Sequence, residues 1–180
     1  MIGYIEGKIL KKEDDRVLVL VNQIGYEVLL PAIVMKSLQN KSIGEEISLY
    51  IFFQQTERQP KPVLIGFNLE VEKEFFQHFI SVEAIGPLKA VRALSIPVRE
   101  IATAIESGEI NKLAQLKGIG RRTAQKIIAT LEGKMAVAIT RTGMLNALTA
   151  FSGPIASTEI KCWKNSFSTS RLKPIKTGLG

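Results

Sequence analysis

The chain has 180 residues, 46% of them hydrophobic, with 24 Lys and Arg against 17 Asp and Glu and a formal net charge of +7. That is enough apolar content for a core, or for two small domains and a tail, and no apolar run reaches the length of a membrane span. A single Cys (Cys162) and a single His (His78) exclude an intrachain disulfide and argue against a thiol or imidazole metal centre, so no metal and no cofactor are expected.

The first third reads as strands. MIGYIEGKIL alternates imperfectly between apolar and polar residues, and it has no basic segment leading a signal-like stretch, so a cytoplasmic location is expected. RVLVLV is rich in β-branched residues, and GYEVLLP follows after NQI, which predicts a tight connection. EISLYIFFQQT and PVLIGF complete a set of five strands, with Gly44-Glu45 as a turn. Glu13, Asp14 and Asp15 are read as a solvated turn and not as a metal cluster. Five short strands with few helical signals predict a small closed or partly open β-barrel over residues 1–66.

After Phe67 the period changes. Phe75, Phe76, Phe79 and Val82 fall on one helical face, and His78 beside them is read as structural. IGPLKAVRAL follows, then SIPVREIATAIESG with Ser95 as the expected cap and Pro97 in the first turn. EINKLAQL gives a short helix, and residues 121–134 form the last. Residues 67–136 therefore predict an all-α unit of five short helices. Within it FISVEAIGPLKAVRAL and LAQLKGIGRRTAQKII superpose at a 34-residue offset, with Gly86 falling on Gly120 and Ile85 on Ile119. Two copies of one helix–turn–helix unit are the simplest reading.

Charge follows this division. Residues 1–66 balance eight bases with eight acids, and residues 67–83 carry one base against four acids. The segment 84–134 has nine bases against four acids, and from Arg141 onward there are six against one. A cationic helical region points to a polyanion as partner. The turn Gly118-Ile119-Gly120 explains how one could be held. Glycines let the backbone approach a ligand, the next helix starts there with unpaired N–H groups, and Arg121 and Arg122 add charge. Such contacts grip a backbone without reading sequence. The first copy is altered: Ala84 replaces the first glycine, Leu88 stands where the second copy has Arg122, and Lys89 sits one position later. No P-loop, nucleophile–base set or paired carboxylates suited to acid–base chemistry can be argued, so catalysis by this chain is not expected.

In the order MIGYIEGKI, GYEVLLP, LIGF, VEAIGPLKAVRAL and LKGIGRRTAQKII, the chain resembles the RuvA family of bacterial Holliday-junction-binding subunits over residues 1 to about 136. The resemblance implies a barrel of the oligonucleotide-binding (OB) type followed by two helix-hairpin-helix motifs. It also implies a homotetramer around four-way junction DNA that loads a RuvB-type ATPase. The phosphate-gripping residues would be Ala84, Ile85, Gly86 and Lys89 in the first hairpin, and Gly118, Ile119, Gly120, Arg121, Arg122 and Lys126 in the second. An acidic pin between the last two strands would fall on Glu57 and Arg58, where Arg58 has the wrong sign for repelling phosphate and the connection looks about two residues longer.

Residues 137–180 lack sustained periodicity and are rich in Ser, Thr, Gly, Pro and Lys. They read as a flexible basic tail with one short helix near Met144–Ala150 and no recognisable RuvB-binding domain. The alternative class is a scaffold or relic copy that assembles without recruiting the motor.

Overall fold

The computed structural model describes residues 1–56, 59–135 and 139–140. Five strands, β1 (Tyr4–Lys12), β2 (Arg16–Val21), β3 (Ile24–Leu29), β4 (Glu46–Thr56) and β5 (Gln59–Phe67), close into a barrel in the order β1-β2-β3-β5-β4. The neighbours are antiparallel except β3 and β5, which run parallel at Leu29↔Ile65. Period-two alternation turns Val17 and Val19 inward, with Ile47, Leu49 and Ile51 on β4 meeting them.

The imperfect pattern of β1 has a backbone cause. Ile5 and Ile9 are buried, and Gly7 lies between them at the same parity. A Cβ on Gly7 would stand 2.2 Å from the Leu20 carbonyl oxygen of β2, so only glycine permits this approach. The tight connection after β2 is a two-residue turn. Val21 pairs with Ile24, and Asn22 and Gln23 take φ of 46° and 67°, the left-handed pair that matches strand twist.

Two expectations about the barrel need correction. β5 begins at Gln59, not Pro62. The early part of β5 pairs only with β4, since its contact with β3 comes at Ile65; prolines at 60 and 62 are tolerated where a strand has one neighbour. A short helix, α1 (Ala32–Ser37), also lies between β3 and β4, where no helix was expected. Its six residues include Ile33 and Val34 and continue the apolar run of β3, which hides it from periodicity.

The helices are α2 (Glu70–Ile80), α3 (Pro87–Ala93), α4 (Val98–Glu106), α5 (Ile110–Ala114) and α6 (Arg121–Leu131), the five expected after Phe67. Ser95 does not cap α4. Pro97 is the N-cap, and the Ser95 hydroxyl instead donates to the Ala93 carbonyl at 3.5 Å. α6 stops at Leu131, three residues short of expectation, because Gly133 turns left-handed at φ 79°. The Glu106 carboxylate then accepts the N–H groups of Gly133 and Met135 at 3.0 and 2.7 Å, fixing the chain beyond the helix.

The helices dock on the barrel through α2. The Phe76 ring lies 5.2 Å from Phe52 and 5.1 Å from Phe67, centroid to centroid, and Phe75 stacks on Phe79 within the helical layer. The Ile33 N–H donates to the Leu94 carbonyl at 3.3 Å, and the Asn68 amide donates to the Ser37 hydroxyl at 2.7 Å. At the start of α2 the Glu72 carboxylate accepts the Leu69 N–H at 3.2 Å, and burial pushes its pKa above the usual carboxylate value despite that bond. His78 lies on the exposed side of α2, and its carbonyl accepts the Ser81 hydroxyl at 2.7 Å. In the acidic turn, Glu13 pairs with Lys11, while Asp15 and Glu27 pair with Arg16. The expectations for Glu57, Arg58 and the tail from residue 141 fall outside the described residues.

Candidate nucleic-acid interface

The repeat seen in the sequence is a repeat of backbone geometry. In the first hairpin, between α2 and α3, the Ile85 N–H donates to Val82 at 3.1 Å; in the second, between α5 and α6, Ile119 donates to Leu116 at 2.9 Å. Ala84 and Gly118 take φ of 69° and 82°, and Gly86 and Gly120 take φ/ψ of −87°/166° and −91°/170°. The Ala90 and Ala124 N–H groups then donate to Gly86 and Gly120, both at 2.9 Å. Ile85 and Ile119 are 3% and 4% exposed, so each plugs the core between its helices.

The glycines divide their work. Gly118 supplies the left-handed turn, a conformation that Ala84 adopts at a strain cost in the first hairpin. Gly120 and Gly86 sit in extended conformations open to any residue, and a Cβ on either would meet nothing within 4 Å. What they provide is clear space over the start of a helix. No side chain caps Gly120, so the first N–H groups of α6 face that space without a protein acceptor from the cap position. The start of α3 is similar, but Pro87 removes one donor.

The two turns lie side by side. A Cβ on Gly118 would fall 3.8 Å from the Lys89 side-chain stem. The first turn also opens on the barrel, where Gly86, Pro87, Leu88 and Lys89 share a cleft with Gln54 of β4 and Val63 of β5. The β4–β5 connection carrying Glu57 and Arg58 begins three residues beyond Gln54.

The cations expected to grip an anion are not equivalent. Arg121 and Arg122 are exposed and make no ion pair among the described residues. Lys89 bends back so that its ammonium donates to the Ala84 carbonyl at 3.2 Å. Lys126 is engaged by a residue the sequence reading did not single out: its ammonium lies 2.7 Å from the Glu83 carboxylate, and that contact holds Glu83 below the usual carboxylate range. The repeat contained a signal for this. Glu83 is the only acid in the paired stretches 83–92 and 117–126, and Lys117 stands at its repeat position.

A closed five-stranded barrel followed by two congruent hairpins, with an uncapped basic helix start, is an arrangement that a nucleic-acid backbone would fit. Comparison with known proteins is more specific. Residues 1–61 match the RuvA N-terminal domain and residues 76–132 match the SAM-like helix-hairpin-helix tandem. The chain is 62% identical over 135 residues to the Holliday junction branch migration complex subunit RuvA of Desulfosudis oleivorans, covering 75% of this chain and 66% of the relative. It is 63% identical over 137 residues to the same-named protein of Desulfatibacillum aliphaticivorans, covering 76% and 67%. The chain belongs to the RuvA family, and it spans about two thirds of the length of the curated relatives it matches.

Proposed function

We propose that this chain is a non-catalytic, structure-selective DNA-binding subunit that holds four-way junction DNA during recombination and repair in the cytoplasm. The observation that carries this is the congruence of the two turns, one of which leads into an uncapped helix whose Arg121 and Arg122 make no ion pair among the described residues. In the second hairpin, Gly118 bends the chain, Ile119 anchors it, and Gly120 leaves the α6 N–H groups open to a phosphate. Arg121 and Arg122 then neutralise the backbone charge. Ala84, Ile85, Gly86 and Lys89 offer a weaker second grip alongside, since Pro87 lacks an N–H and Lys89 must leave the Ala84 carbonyl to reach a ligand. These groups recognise phosphate and not bases, so selectivity comes from junction shape, read by several copies at once. A homotetramer suits the symmetry of a four-way junction, and a RuvB-type ATPase is the motor such a subunit would serve.

Among the described residues no cluster of three metal-ligating side chains occurs and no helix is long and apolar enough to cross a membrane. The test is competition between a four-way junction and linear duplex of equal length at about physiological salt. The expected result is junction preference that falls sharply in an Arg121→Ala/Arg122→Ala variant. Equal and weak affinity for both DNAs would sink the proposal in favour of a scaffold role.

A further inference from the structure

Resting on that reading, we propose that Glu83 limits the grip of the second hairpin by holding Lys126 as an internal ion pair, so that Lys126 is not a phosphate contact. Three observations converge. The ammonium and carboxylate are 2.7 Å apart across the two hairpins, joining α6 to the residue just before the first turn. The carboxylate is borne by a defined turn, in which Ala84 is left-handed and the Ile85 N–H donates to the Val82 carbonyl. Both partners are solvent-exposed, so the pair is a tuning element within reach of solvent and not part of the core.

The consequence follows from counterion release. A free cation that meets a DNA phosphate displaces a condensed counterion and adds about 0.9 to the magnitude of the slope of log K against log salt. Lys126 has already exchanged its solvent counterion for Glu83. If it stays paired, nothing is released; if it moves to phosphate, Glu83 is left uncompensated beside a polyanion and must recruit a cation. Arg121 and Arg122, without carboxylate partners among the described residues, contribute in full. Glu83 thus sets how much sequence-independent affinity the second hairpin has for any duplex.

The experiment measures the affinity of the full chain for linear duplex as a function of sodium chloride. Wild type is compared with Glu83→Gln, Lys126→Gln, the double variant Glu83→Gln/Lys126→Gln and Arg121→Ala/Arg122→Ala. Glu83→Gln should steepen the slope by about 0.9 per bound protomer and raise affinity about fivefold near 0.15 M salt, the value that slope implies when extrapolated from 1 M. Lys126→Gln should lower affinity, because Glu83 is then uncompensated beside the polyanion, while the double variant should return to wild type and melting temperatures should stay together. An unchanged Glu83→Gln, with the double variant as weak as Lys126→Gln, would overturn the proposal. The arginine variant separates the two levels. If it keeps full affinity, the phosphate-gripping reading itself fails; if it loses affinity while Glu83→Gln stays at wild type, only the role of Glu83 fails.

Discussion

Ala84 and Gly118 occupy equivalent left-handed positions, at φ of 69° and 82°, with a methyl group on one and none on the other. An L-residue in this conformation costs roughly 1–2 kcal/mol, while glycine gives back about 0.4–1 kcal/mol through the greater freedom of the unfolded chain. Space does not enter the balance at Gly118, because its nearest neighbour would be the Lys89 stem at 3.8 Å, an ordinary contact. Ala84→Gly should therefore stabilise the protein by about 0.5–1 kcal/mol and Gly118→Ala should destabilise it by a similar amount. In a folded region of this size each change moves the melting temperature by about 2–4 °C, in opposite directions. The swap variant carrying both should melt near wild type, apart from any coupling through Lys89, which bonds the Ala84 carbonyl and would touch a Cβ at 118. Calorimetry or thermal circular dichroism on the four proteins gives the answer. Neither substitution alters a charge or an α6 N–H group, so affinity for a four-way junction should stay within about twofold in all four. A lower melting temperature for Ala84→Gly would show that the first turn is not the left-handed counterpart of the second.

Two further outcomes test the frame around the hairpins. Gly7→Ala should destabilise the barrel by about 3 kcal/mol or more, because its Cβ would be driven to within 2.2 Å of the Leu20 carbonyl; a chemical denaturation midpoint equal to wild type would refute this close approach. Glu72 has a folded pKa raised by burial, so between its ordinary value of 4.5 and that raised value the native state binds more protons than the unfolded chain. Its contribution to stability is therefore lost as pH rises through that window. Glu72→Gln keeps an oxygen to accept the Leu69 N–H and removes the charge. Its stability relative to wild type should improve as pH rises from below 4.5 towards neutrality, read from melting temperatures across the range.

Much of the architecture was legible in the sequence because its signals are local. β-branched runs gave β2, and the change of period at Phe67 marked the start of the helices. The 34-residue offset aligned Ile85 with Ile119 and Gly86 with Gly120, and their backbones proved congruent. The elements that were misread are those where a local signal was absent or ambiguous. α1 is too short and too rich in β-branched residues to show a helical period beside β3. Pro60 and Pro62 look like loop residues until the one-sided pairing of early β5 is known. Ser95 has the chemistry of a cap but lies two residues before Pro97, which occupies the N-cap position without a side-chain hydrogen bond.

The sequence by itself pointed to the class of chemistry proposed for the chain, through a cationic helical unit and two turns of a form that suits phosphate. Residue type and spacing along one segment suffice for that, because a turn and the helix after it are made within about ten residues. Which cations are available was decided by the tertiary structure. Arg121, Arg122, Lys89 and Lys126 look alike in the chain, yet folding brings Lys126 to within 2.7 Å of a carboxylate 43 positions away and turns Lys89 onto the Ala84 carbonyl. Only the packing of one hairpin against the other determines where a long flexible side chain ends, and so which charge remains free for a ligand.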